Sequence, residues 1–124
     1  MMIVKNYVAP SNIHGIGLFA GENIEKDQII FLLTPGVDLV MTPEDIETFG
    51  EEFSRFMRVY AYKDNKSGEI IISLDNARFM NHHDYPNTLW TYIFGWAARD
   101  IRQGEELTCD YNSFWDDPPA LAKQ

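Results

Sequence analysis

A single cysteine, Cys109, stands in the 124 residues, and that scarcity removes two architectures at once. No intramolecular disulfide can form, and no zinc site made of several cysteines is available. Basic residues are also scarce: 10 Lys and Arg against 19 Asp and Glu give a formal charge of −9. Nucleic-acid affinity rests largely on neutralising phosphates, so direct nucleic-acid binding is not expected. Lysine-rich protein segments would instead be steered towards such a surface, although acidity also serves solubility. No apolar run approaches the ~18 residues needed to cross a bilayer, and no membrane association is expected. Met1–Asn6 carries neither the h-region nor the cleavage site of a signal peptide. The expected location is cytoplasmic, or nuclear (including a host nucleus) if the source has one. What remains, 45% apolar and 23% charged, is the composition of one globular domain with a modest core.

Short β-type segments separated by turn residues dominate the chain. Ile3–Val8 reads as a strand ending at the turn cluster Ala9-Pro10-Ser11-Asn12. His14-Gly15-Ile16-Gly17 is followed by an apolar run, without dinucleotide or P-loop spacing. Gln28–Thr34 reads as a strand stopped by Pro35-Gly36. One helix is expected from Pro43 to about Arg58: Thr42 suits the N-cap, Pro43 the first position, and Glu44 and Asp45 the positive end of the dipole. Ile46, Phe49, Phe53 and Phe56 would form its buried stripe, with Gly50 a weak point. Val59–Lys63 and Glu69–Leu74 read as a hairpin around Asp64–Gly68. Thr88–Phe94, Trp96–Ala98 and Leu107–Cys109 follow as strands. The expected fold class is mainly β with one helix, a single domain over 1–124 with its core at about 4–115 and a tail at 116–124.

The densest polar stretch, Arg78-Phe79-Met80-Asn81-His82-His83-Asp84-Tyr85-Pro86-Asn87, has no amphipathic period. It is either a connection between strands or a binding loop held by a scaffold. A metal site from His82, His83, Asp84 and His14 has suitable ligand types. Adjacent residues on an extended segment point to opposite sides, however, and no metal is expected. Cys109 with a histidine makes a formal nucleophile pair, but a thiol in a short apolar strand is more commonly inert.

Three separated segments carry more information together. They are His14-Gly15-Ile16-Gly17-Leu18-Phe19-Ala20, then Arg78-Phe79-Met80-Asn81-His82, then Gly104-Glu105-Glu106-Leu107-Thr108-Cys109-Asp110-Tyr111. In this order, with Arg99-Asp100-Ile101 leading into the last, the chain resembles the SET-domain family of protein-lysine methyltransferases over roughly Val4 to Trp115. The resemblance implies small twisted sheets with a C-terminal pseudoknot, and S-adenosyl-L-methionine as cofactor. It implies cofactor contacts at His14, Ile16 and Gly17, at Asn81 and His82, and a buttressing role for Arg78. Tyr111 matches the catalytic tyrosine. Tyr60 or Tyr62 would line the channel for the target lysine, and Phe114 or Trp115 would cover the adenine, close the channel or anchor the tail. The substrate would be a lysine in a basic, histone-like protein, and a homodimer could complete the binding groove. A SET-like cofactor- or peptide-binding module without turnover is the alternative.

Two departures stand out. His83-Asp84 replaces the Ser-Cys that often follows the family's Asn-His pair, and Cys109 replaces an aromatic two positions before the tyrosine. The number of methyl groups transferred therefore does not carry over.

Overall fold

The structure is a computed structural model that describes residues 1–116. Ten short strands form three small sheets. β1 (Asn6–Pro10) and β2 (Ile16–Ala20) make a hairpin, and β2 pairs antiparallel with β10 (Glu106–Cys109). β7 (Asn81–His82) closes that sheet, running parallel to β10. The second sheet orders β3 (Ile29–Leu32), β9 (Phe94–Ala97) and β8 (Thr88–Trp90). The third orders β4 (Asp38–Met41), β6 (Ile70–Ser73) and β5 (Tyr62–Lys63). The main core collects Leu18, Ile24, Ile30, Ile101 and Leu107 between the first two sheets. A satellite core of Ile46, Met57, Ala61 and Ile72 lies under the helices.

The helical region differs from expectation. Thr42 does cap it: its side chain accepts from Asp45 N–H, and the Asp45 carboxylate accepts from Thr42 N–H, a reciprocal capping box. The helix stops after one and a half turns, however, giving α1 (Pro43–Thr48) and α2 (Glu51–Tyr60). Gly50, at φ +90°, breaks it in a conformation that side chains resist. The break resets the helical phase, so the four-residue stripe is not buried as a unit. Ile46 is buried, whereas Phe49 is 64% and Phe56 45% exposed.

The strand assignments change as well. Val59 and Tyr60 belong to α2, so the hairpin strand begins at Tyr62. The Thr88–Phe94 segment folds back on itself, with Thr91 N–H donating to Phe94 O across a tight turn. β4 was not expected, and Asp38 opens it. That carboxylate is buried and fully engaged, accepting from Ser73 Oγ at 2.6 Å, Thr34 N–H at 2.7 Å and the Met1 ammonium at 2.5 Å. Such pairing is the condition for burying a charge.

Among the described residues, no helix is long and apolar enough to cross a membrane. Nor is any group of three or more His, Cys, Asp or Glu placed to hold a metal ion.

Candidate functional site

The β7–β10 pairing covers only Asn81↔Thr108 and Cys109↔His82, too short a ladder to hold itself. Side chains supply the rest. Asn87, buried, donates through Nδ2 to Glu106 O at 2.8 Å and accepts from Thr108 N–H at 2.8 Å. Thr88 Oγ1 donates to Thr108 O and accepts from Trp90 Nε1. His83 N–H donates to Cys109 O, extending the parallel register. These bonds fix Asn81 and His82 beside the segment that leads into Tyr111.

Asn81 in turn holds the glycine loop. Its Nδ2 lies 3.0 Å from His14 O, 3.1 Å from Glu106 Oε2 and 3.2 Å from Ser11 Oγ. Ser11 Oγ bridges to the same carboxylate at 2.7 Å and receives Ile13 N–H. Gly17 explains itself here: a Cβ at that position would stand 2.7 Å from Glu106 Oε2. The glycine thus leaves room for a carboxylate that ties β10, β7 and the loop together. The loop forms one wall of a cleft of about 330 Å³, lined by His14, Gly15 and Ile16, by Asn81 and His82, and by Arg58, Tyr60, Arg78, Tyr111 and Trp115. Gly17 lies behind this wall rather than on it.

Tyr111 lies on the far side of that cleft. Its hydroxyl donates to the carbonyl of Met80, and its backbone N–H donates to His82 Nδ1 at 3.0 Å. Burial, reinforced by Cys109 and Glu106, pushes its phenol well above the usual tyrosine range. The group is therefore a neutral hydrogen-bond donor at physiological pH, not a phenolate base. His82 Nε2 is 2.8 Å from Asp84 Oδ1.

A second, narrower pocket of about 60 Å³ opens on the other side of Tyr111. Its walls are aromatic: Tyr62, Trp90, Tyr92, Phe114 and Trp115, with Phe31 behind. Tyr62 packs edge-on to Phe114 with centroids 5.0 Å apart, and Phe31 meets Trp90 at 4.7 Å. Trp90 can lie there because Gly95 has no Cβ, which would approach the indole to 2.8 Å. The strip that carries Phe114 and Trp115 is held by Asn65 N–H on Phe114 O and by an Asp64–Trp115 bridge. Asp64, buried, lines the same pocket. Burial first, then Asp64, pushes the Tyr62 hydroxyl up. Cys109 lines it too, and burial pushes its thiol far above the reactive range.

The structure thus brings His14, Ile16, Arg78, Asn81, His82, Tyr111 and Trp115 to one cleft. It brings Tyr62, Cys109 and Phe114 to the adjoining pocket, with Tyr60, Arg78, Tyr111 and Trp115 on the wall common to both. Sequence reasoning did not single out Trp90, Arg58, Glu106, Ser11 or Asn87. Glu106 stood inside a quoted motif, but its register opposite Phe19 in β2 emerges only in the fold. Trp90 was read as strand content, and only the turn after it reveals its direction.

Comparison with known proteins bears on the family and the fold. The SET domain family profile matches residues 15–112. The chain is 30% identical over 113 residues to the Drosophila melanogaster histone-lysine N-methyltransferase trr, covering 85% of this chain and 5% of that protein. It therefore spans a small fraction of that relative's length. Among solved structures, the Neurospora SET domain protein DIM-5, a histone lysine methyltransferase, superposes with a TM-score of 0.59 at 20% identity, over 89% of this chain and 53% of that one. An autoinhibited Chaetomium thermophilum Polycomb Repressive Complex 2 bound to S-adenosylmethionine gives 0.68 at 22% identity, over 95% and 16%. At those identities the structures speak for the fold, while the profile speaks for the family. With the matched span running from the glycine loop through Tyr111, the chain belongs to the SET domain family.

Proposed function

We propose that the chain is an S-adenosylmethionine-dependent protein-lysine N-methyltransferase acting on the ε-amine of a lysine in a basic protein segment. The observation that carries this reading is Tyr111 on the wall shared by two openings, one broad and mixed in polarity, one narrow and aromatic. Methyl transfer is an in-line displacement, so a donor site and an acceptor site meeting at one point is the geometry it needs.

The broad cleft suits the cofactor's chemistry. Arg58 and Arg78 line the cleft, so their positive charge would favour an anionic group there. Trp115 and Ile16 offer apolar surface for a heterocycle, and the backbone of His14–Ile16 and Asn81–His82 offers polar edges. When bound, the cofactor supplies an electrophilic methyl group on a sulfonium. The parallel β7–β10 register supports reading the C-terminal crossing as the family's pseudoknot.

The remaining work falls to this chain's side chains. The aromatic walls would desolvate an entering lysine, lowering its pKa from ~10.4, at which only about one amine in 2,500 is neutral at pH 7. Tyr62, Trp90 and Phe114 also favour an alkyl chain ending in a cation. Tyr111, neutral and tethered at both its amide and its hydroxyl, would position the amine and stabilise charge next to it. The net charge of −9 would steer basic segments towards the surface.

The test is calorimetric titration with S-adenosylmethionine, followed by methylation of a lysine-rich peptide library read by mass spectrometry. One-to-one binding and methylated lysine are expected. Failure to bind would overturn the cofactor assignment. Binding without product would identify a module lacking turnover.

A further inference from the structure

We propose that Asp84, an exposed carboxylate outside the cleft, is a positioning residue for Tyr111 and acts through the ring of His82. The inference rests on the methyltransferase reading for its kinetic consequence, but its geometry stands independently.

A neutral imidazole has one N–H and one lone pair, and its neighbours decide which nitrogen carries which. Tyr111 N–H points at His82 Nδ1 from 3.0 Å, so Nδ1 must present its lone pair. Nε2 then carries the proton, and Asp84 Oδ1 accepts it at 2.8 Å. Turning the ring over would put carbon against both partners. The pair of bonds therefore selects the tautomer and the ring orientation together, as an orienting carboxylate does for a catalytic histidine elsewhere. Asp110 is the other acid nearby, but its Oδ1 is 3.6 Å from Nδ1, beyond hydrogen-bond range, and accepts from Asn112 N–H.

The consequence reaches the reacting centre because Tyr111 is held at both ends by one stretch of chain. Its amide is fixed by the His82 ring and its hydroxyl by the Met80 carbonyl. The His82 side chain is only 3% exposed and Asp84 is 81% exposed. Loss of the carboxylate therefore frees a buried ring without removing anything from the core. A ring that rotates releases the Tyr111 amide, and the 3₁₀ turn Tyr111–Ser113 can pivot about the remaining hydroxyl bond.

Asp84→Ala and Asp84→Asn separate this role from charge and from folding. Asparagine keeps a carbonyl oxygen able to accept from Nε2–H, whereas alanine does not. In nitrogen-15 spectra of the histidine rings, wild type should show Nδ1 unprotonated and Nε2 protonated at His82. In Asp84→Ala the two nitrogen signals should converge, and the Tyr111 amide proton should move upfield and exchange faster. Turnover on the best library peptide should fall roughly tenfold, as for a reactant held slightly out of line. KM for S-adenosylmethionine should stay within about twofold, on the same positioning argument. Asp84→Asn should restore the spectrum and turnover. An unchanged Tyr111 amide in Asp84→Ala would overturn the proposal, as would Asp84→Asn proving as impaired as alanine. If wild type shows no turnover, the methyltransferase reading fails and the spectra alone decide the positioning.

Discussion

Replacing Gly17 by alanine should loosen the proposed cofactor cleft from behind. The new Cβ would stand 2.7 Å from Glu106 Oε2 and 2.8 Å from its Cδ. Gly17 sits in β2, bonded to β1 on one edge and close to β10 on the other, so the backbone has little room to yield. The Glu106 carboxylate, at the end of a flexible side chain, must swing away. Doing so breaks its bonds to Ser11 Oγ and Asn81 Nδ2. Hydrogen bonds to a charged group contribute about 1.5–3 kcal/mol each when desolvated. Glu106 is only partly buried, and water replaces part of that, so about 1 kcal/mol per bond is a fair figure. Alanine regains roughly 0.5 kcal/mol by restricting the unfolded chain. The net loss is about 1–2 kcal/mol, concentrated in the loop from Ser11 to Ile16.

Because that loop lines the cleft, the loss should fall on binding. S-adenosylmethionine affinity measured by calorimetry should drop roughly 5- to 30-fold. The mechanism has an internal check. In a Glu106→Ala background the added methyl meets no carboxylate, so Gly17→Ala should cost little more there, a strongly non-additive cycle. Wild-type affinity in the single variant, or full additivity in the double, would refute the reasoning.

Three further outcomes follow from the same contacts. Tyr111→Phe should cut turnover about 100-fold, the scale set by losing one preorganised donor at a reacting centre, with cofactor affinity within about twofold; equal turnover would remove the role given to the hydroxyl. Stability by urea titration should hold up to about pH 8.5 and fall above it. Burial raises Cys109, Tyr62 and Tyr111 in the folded state, so the unfolded chain loses protons first, near pH 8.5 for the thiol and near pH 10 for the phenols. The stabilisation is complete below those values and is lost as pH rises; Cys109→Ala should move the onset towards pH 10. Finally, Ile46→Ala should destabilise by about 2–4 kcal/mol, whereas Phe49→Ser, at a position 64% exposed, should stay within about 0.5 kcal/mol; equal effects would contradict the break at Gly50.

Features that depend on nearest neighbours were legible in the sequence. Thr42, Pro43 and Asp45 mark a helix start because capping needs only four consecutive residues. The glycine loop, the Asn81-His82 pair and Tyr111 were identified in order, and the fold brings them to one cleft. Features that depend on phase were not. The stripe from Ile46 to Phe56 was read across Gly50, whose left-handed backbone restarts the helical count. Val59 and Tyr60 have strand-forming side chains, yet they complete α2, where the Tyr60 ring packs on Phe56 at 4.9 Å and Phe79 at 5.8 Å. Tertiary packing outweighed local preference there. Asp84 was the least legible of all, since its meaning depends on which way a neighbouring imidazole faces.

The polar density of Arg78–Asn87 then has a physical cause. A two-residue strand leaves most of its backbone groups without ladder partners, and a buried N–H or C=O left unpaired costs free energy comparable to a lost hydrogen bond. A site that must sit between sheets, rather than at the end of one, cannot meet that need with regular structure. It is met here by side chains: Asn87 on both Glu106 and Thr108, Thr88 on Thr108, Asn81 on His14, and the His82 ring on Tyr111. Amides, hydroxyls and an imidazole suit this task because each can bond a backbone group without carrying a fixed charge. The same economy explains why a cluster with ligand-like composition holds no metal-ligand geometry among the described residues. Both histidines accept from backbone N–H groups, His83 from Tyr85 at the surface and the buried His82 from Tyr111, and the His82 bond is what helps hold Tyr111 between the two openings.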